Sequence, residues 1–418
     1  MKKFMNWLSN SFAPKMQKFT KRPWIAALSS AMQKIIPFIL TGSLIFLYNV
    51  FRSYMDFLPD LGKIADYSFG MLGLLTAFMM ANQVMEKLKR PEYQINAGLV
   101  AICVFIMFIK PVISADGVMT VEFGRFGPTG ILVGIIAGIF VSIIFNLYGK
   151  LKWLSDSDLP DFVVGWIHNI IPIALTLGLG ALASFKLDLD IFAIVVDIFS
   201  PIQSFGQTLP GFILLVFIPT FLYTMGISTW LWGAVSTPIY MAGIAANIEA
   251  VAQGLPATNI VTSETVFTAG LITMGGMGAT LVLNILMLNS RSNDLKTVGR
   301  ICLVPSIFNI NEPIMFSAPV VMNPLLMVPM WINGITGPIF VWTVMKLGLL
   351  NIPDQMIQVG QIPAPVSTFM ITQDWRSILV YIAMFGIYLV TWYPFFKVYE
   401  KERLKEEMDE QNEVVMAK

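Results

Sequence analysis

The chain repeatedly runs for about twenty residues without a charge, and few folds tolerate that. Gly127–Tyr148, GPTGILVGIIAGIFVSIIFNLY, contains no Asp, Glu, Lys or Arg. A bilayer core needs roughly 20 apolar residues in helical form. Comparable stretches are Trp24–Val50, Ser68–Met85, Asn96–Val112, Phe162–Phe185, Pro210–Trp232, Val266–Leu288, Leu325–Leu349 and Ser377–Phe396. Of 418 residues, 56% are hydrophobic and 13% charged, about half the roughly 25% charge of a soluble domain. The chain is therefore expected to be an all-α polytopic membrane protein. A net charge of +1 excludes the basic surface that nucleic acid requires. One histidine, His168, and two isolated cysteines, Cys103 and Cys302, supply neither a metal site nor a disulfide framework. No cofactor is implied.

Loop charge sets the expected orientation. Lys2, Lys3, Lys15, Lys18, Lys21 and Arg22 precede the first span, and Lys397, Lys401, Arg403 and Lys405 follow the last. Lys87, Lys89 and Arg90 follow the second, whereas the loops Asp56–Lys63 and Asp116–Glu122 show no such excess. Both termini are expected in the cytoplasm, so the crossings must be even and one is hidden beyond the nine apparent stretches. Residues 1–23 read as a basic amphipathic segment, 24–399 as the membrane domain and 400–418 as a charged tail. Leu187–Gln207 alternates acids with an apolar stripe, the pattern of an interfacial helix. Thr237–Gly254, with Asn247, Glu249 and Gln253, reads as a hairpin or half-helix.

Val304–Met330 carries the most chemistry. It holds Asn309, Asn311, Glu312 and Asn323 with five prolines at 305, 313, 319, 324 and 329. Proline removes backbone donors and breaks helices, and unwound backbone at membrane depth must be buried or line a wet cavity. An intramembrane acid such as Glu312 marks a pathway or site; the alternative is a carboxylate that caps a broken helix. Amides beside a carboxylate offer the donors and acceptors that a polyhydroxylated solute, above all a sugar, requires. Gly275-Gly276-Met277-Gly278 allows close packing or backbone approach to a ligand. Ser228 and Thr229 put hydroxyls beside Trp230 and Trp232, which serve as sugar-stacking faces or as interfacial anchors. Lys34, unusual in a first span, either snorkels or pairs with an acid. His168 reads as helix-terminal or interfacial.

Phe308-Asn-Ile-Asn-Glu-Pro313, the Pro-x-Val-x-Asn-Pro of 319–324, Gly-Gly-x-Gly-Ala-Thr at 275–280, Pro37 with Gly42-Ser43, and Trp392-Tyr-Pro-Phe-Phe396 together resemble one family. It is the membrane (IIC) component of the lactose/cellobiose-type sugar phosphotransferase system, which includes the diacetylchitobiose and cellobiose permeases. The resemblance covers nearly the whole chain. It implies a homodimer in the cytoplasmic membrane with about ten transmembrane helices per subunit, re-entrant hairpins and a central sugar site. It also implies inward carriage of a β-linked disaccharide, phosphorylated on its 6-hydroxyl with IIB and IIA partners. Glu312 is then the catalytic glutamate, and Asn309, Asn311, Glu312, Ser228, Thr229 and Gly276 are the expected sugar contacts.

This sequence departs from the pattern at three places. Gly226-Ile227-Ser228-Thr229 stands where the family has Gly-Ile-His-Gly, Ser29-Ser30-Ala31 replaces its Arg-Asp-Gly, and Trp166 occupies a common serine position. A serine can hydrogen-bond a hydroxyl but cannot act as an acid or base near neutral pH. Two readings follow: a working permease with altered sugar choice, or a facilitator or sensor uncoupled from phosphorylation. A purely structural membrane subunit would bury Asn309, Asn311 and Glu312 for nothing.

Overall fold

A computed structural model describes the chain except residues 1–6, 8, 9, 12, 53, 54, 56, 152–160, 228, 319, 358–361, 417 and 418. The Glu312 side chain also lies outside what is described. The helices are α1 Ala13–Thr20, α2 Pro23–Arg52, α3 Gly62–Ser68, α4 Leu72–Lys87, α5 Pro91–Phe108, α6 Ile131–Tyr148, α7 Asp161–Ala181 and α8 Ile191–Gly206. They continue as α9 Leu209–Thr224, α10 Trp230–Ala252, α11 Thr280–Leu288, α12 Asn293–Ile307, α13 Glu312–Ser317, α14 Pro324–Lys346, α15 Ala364–Thr372 and α16 Arg376–Met416. Strand pairing among the described residues is confined to Val112–Ile113 against Met119–Thr120, so the all-α expectation holds. Among the described residues, six helical segments are long and apolar enough to cross a bilayer, or seven if α8 and α9 form one broken span. Of the nine apolar stretches, Trp24–Val50 forms the single helix α2 outside these six, whereas Val266–Leu288 does not form one helix. That stretch is a π-helical turn, Glu264–Thr268, then irregular backbone, then α11. Thr237–Gly254 differs in the opposite sense, because α10 runs unbroken through Pro238 to Ala252.

Contacts divide the chain into two compact units, Lys18–Ser204 with Trp230–Ala242, and Met1–Gln17 with Phe205–Thr229 and Gly243–Lys418. In the first unit α4, α5 and α6 pack through small residues and fully buried Ala77, Val104, Phe105, Val141 and Phe145. The approach is backbone to backbone: a Cβ at Gly134 would sit 2.3 Å from the Gly73 carbonyl oxygen. Only glycine permits that spacing, and close approach is how helices associate where burial from water is no driving force. Lys34 does pair with an acid, Glu86, at 3.2 Å; Gln83 also donates to Glu86, at 2.9 Å. His168 sits inside α7, with Nδ1 3.3 Å from the Tyr93 hydroxyl and its ring edge-on to Tyr148. α8 is the expected amphipathic helix, and Ile194, Ile198 and Ile202 make its exposed apolar stripe.

The second unit contains the broken segments. α12 ends at Ile307, and Asn309 takes the left-handed conformation, φ 60°. The Ile310 N–H bonds the Pro305 carbonyl at 2.9 Å and the Asn309 N–H bonds Ser306 at 3.1 Å. That pair of bonds is a Schellman stop, with asparagine where glycine is usual. Asn311 then precedes the six-residue α13, and α14 begins at Pro324 with the Asn323 side chain accepting from the Leu325 N–H. Val304–Met330 is thus three helical pieces, as its prolines require.

Candidate functional site

Between the π-helical turn and α11 the chain runs through Ala269–Ala279 with positive φ at Gly270, Gly275, Gly276, Gly278 and Ala279. Such backbone satisfies only some of its own polar groups, and buried ones left unpaired are costly. Here side chains take up six carbonyls, five of them from distant segments. Thr368 donates to Ala269, and Tyr388 to Leu271 at 3.1 Å. Thr280 donates to Gly275 at 2.7 Å, and Asn311 to Met277 at 2.9 Å. Asn333 donates to Gly278 at 3.1 Å and Trp392 to Ala279 at 3.0 Å. The Gly275 N–H in turn donates to Asn309 Oδ1 at 2.9 Å.

Asn309 and Asn311 therefore lock onto the glycine loop. Asn309 uses its other end on the Ile362 carbonyl, 3.4 Å away, and Asn311 Oδ1 receives the Tyr223 hydroxyl at 3.5 Å. An asparagine side chain has two donor and two acceptor positions, so each amide still has one N–H and one lone pair to offer. Gly276, φ 107°, lies flat against Asn311: a Cβ there would be 2.4 Å from Asn311 Cγ. Close packing by side chain, one of the two readings of this glycine, is what the geometry displays.

The third motif arrives from α9. That helix ends at Thr224, whose carbonyl accepts from the Met322 N–H at 3.0 Å. Its hydroxyl accepts from Trp331 Nε1 at 2.9 Å. Gly226, φ 69°, follows and packs on Val321. The end of α9, the glycine loop and the Asn309–Glu312 break are joined within one unit through the Tyr223–Asn311 and Asn311–Met277 bonds, although more than 80 residues separate the first from the last. Thr229 is the N-cap residue of α10 and makes no side-chain capping bond. Ser228 and the Glu312 side chain lie outside the described residues; the Glu312 backbone opens α13. Tyr223, Asn333, Thr368 and Tyr388 were not singled out from sequence. Their roles depend on carbonyls far away in the chain, and only the i, i+4 spacing of Tyr388 and Trp392 on one helix face hints at a shared task.

Apolar helices broken around a buried amide and glycine centre define a multi-pass membrane carrier, since such carriers place their sites at discontinuous helices. The family model for the phosphotransferase system, EIIC, matches residues 29–334. The galactose-specific EIIC component of Lactococcus lactis subsp. cremoris (strain MG1363) is 27% identical, over 97% of this chain and 97% of that protein. The lactose-specific EIICB component of Staphylococcus epidermidis (strain ATCC 35984) is 26% identical, over 98% of this chain and 72% of that longer protein. The crystal structure of the transporter ChbC, the IIC component of the N,N'-diacetylchitobiose-specific system, superposes with a TM-score of 0.81. It is 23% identical and covers 96% of this chain and 99% of that one, a likeness of fold. This chain belongs to the phosphotransferase system EIIC family. It is a sugar-transporting membrane component of such a system, the kind that works with IIB and IIA components.

Proposed function

We propose that the chain carries a β-linked disaccharide inward through the cytoplasmic membrane for phosphorylation by a IIB partner. Glu312 contacts the reacting sugar, and Asn309, Asn311, Ser228, Thr229 and the Gly276 loop complete the site. The observation that carries this reading is the convergence of three motifs: the Asn311 amide holds the Met277 carbonyl and receives the Tyr223 hydroxyl. Lactose- and N,N'-diacetylchitobiose-specific relatives support the substrate class. The protein works as a homodimer with lipid around its apolar helices, in keeping with the family resemblance.

The test is the chemical form of sugar recovered inside vesicles that contain phosphorylated IIB, across a panel of β-disaccharides. Sugar phosphate is expected. Free sugar alone, from a folded carrier with its cognate partner, would favour an uncoupled facilitator, the reading that Ser228 at the usual histidine position recommends. Ser228→Ala removes one neutral hydrogen bond, about 0.5–1.5 kcal/mol. Affinity should then fall by roughly ten-fold or less, measured by equilibrium binding.

Both termini lie in the cytoplasm, because Lys and Arg concentrate before α2 and beyond Trp392. A cysteine introduced at Lys3 or Lys405 should resist a membrane-impermeant thiol reagent added to intact cells and react once they are opened. Labelling from outside would reverse the topology.

A further inference from the structure

Glu264 has no place in the sugar site, yet it is the one acid among the described residues with a relative exposure of 0%. It opens the π-helical turn Glu264–Thr268, and its neighbours Thr262, Ser263, Thr265 and Thr268 are buried with it. One carboxyl oxygen, Oε2, accepts the Ser263 hydroxyl at 2.5 Å, and the backbone N–H groups of Glu264 itself and of Ile357 lie near the carboxyl. The other oxygen, Oε1, is buried and has no hydrogen-bond partner. No lysine, arginine or histidine among the described residues forms an ion pair with it. The helix packed on the turn, α15, carries no ionisable residue from Ala364 to Thr372. In the loop that gives the Ile357 N–H the nearest such residue is Asp354.

A carboxylate without a cation or a full set of donors is among the costliest groups to bury, and such a group takes up a proton instead. A neutral carboxyl fits the surroundings: it keeps the bond from Ser263 and leaves no net charge. Single-turn π segments recur at functional positions rather than in plain scaffold. This one is coupled to the centre described above. The turn closes with the Ala269 N–H on the Glu264 carbonyl at 2.7 Å. Ala269 is gripped by Thr368, and the next residue, Gly270, packs directly against Asn309 and Ala364.

We propose that Glu264 is a proton-binding site of the carrier: its carboxyl is neutral in this conformation and ionises, giving the proton to water, when Thr262–Ala269 opens. Opening then releases one proton, so raising the pH favours the opened form and lowering it favours the form seen here. With one proton involved, the opening equilibrium shifts by at most about ten-fold per pH unit. Any effect on sugar rests on the proposed role of Asn309; the opening itself does not.

The experiment is hydrogen–deuterium exchange of residues 262–270 in the full chain, held in lipid nanodiscs without sugar, from about pH 6 to pH 8. Rates are corrected for intrinsic base-catalysed exchange. Wild type should open progressively more as pH rises, and Glu264→Gln, which mimics the neutral acid, should open equally at every pH. A parallel pH dependence in the two proteins would overturn the proposal. If the glutamine variant does not fold, the wild type decides alone: pH-independent opening of 262–270 overturns it. Protection that instead follows sodium concentration at fixed pH, in place of a pH effect, would assign the site to a metal cation and also overturn it.

Discussion

Sugar uptake by Gly276→Val should fall to background while the protein still inserts and keeps its helical content. The added Cβ would lie 2.4 Å from Asn311 Cγ and 2.6 Å from its Cβ, where no real contact exists, so one partner must move. The backbone at φ 107° is also one that a β-branched residue enters only with strain, of order 1–3 kcal/mol. Expelling Asn311 strands the Met277 carbonyl, a further cost of about 1–3 kcal/mol for a buried group left unpaired. The helices on either side do not share these terms, so the damage is confined to the centre. Uptake by proteoliposomes, beside circular dichroism of the same preparation, measures this. Uptake within two-fold of wild type would show that the loop against Asn311 has no part in transport.

Glu312→Gln should weaken sugar binding by roughly ten- to hundred-fold. A hydrogen bond to a charged group contributes about 1.5–3 kcal/mol, and 1.4 kcal/mol is a factor of ten. Glutamine keeps the volume and one acceptor, so thermal stability in detergent should barely change. Binding isotherms and melting curves on the same samples separate the two roles considered for this acid. Lost affinity with retained stability indicates a sugar contact. Retained affinity with lost stability indicates a carboxylate that serves only the start of α13.

The fold was legible wherever local chemistry decides the backbone. Five prolines and four polar side chains within Val304–Met330 break that segment by themselves, and the breaks fall at Asn309 and before Pro324. Val266–Leu288 was misleading because Leu271, Ile272, Met274 and Leu281 are as apolar as any spanning helix. What holds this stretch open is a set of hydroxyl, indole and amide donors at 311, 333, 368, 388 and 392. No local window contains them. Thr237–Gly254 misled in the other direction. Asn247, Glu249 and Gln253 suggested a hairpin or half-helix, but the Asn247 side chain reaches out to Thr258, Asn259 and Pro353 and α10 is continuous. Lys34 was undecidable for the same reason, since its partner lies 52 residues away. Asn309 and Asn311 were identified by residue type and crowding. That their amides serve the backbone of residues 275–277 required the fold.

α16 runs 41 residues without a break, from Arg376 to Met416. Its carboxylates reach the turn between α11 and α12. Glu400 accepts the Ser290 hydroxyl and the Arg291 N–H, both at 2.7 Å, and Glu407 accepts the Ser292 hydroxyl and the Asp294 N–H. Lys397 and Arg403 brace the same junction. A helix pinned at two points one heptad apart can neither roll nor slide on that turn. Its outer end is therefore a pointer fixed to the frame of α11 and α12, and any rotation of that frame is magnified along its length. A spin label or fluorophore beyond Glu407, at Gln411 for example, would report such motion without a single probe near the sugar path.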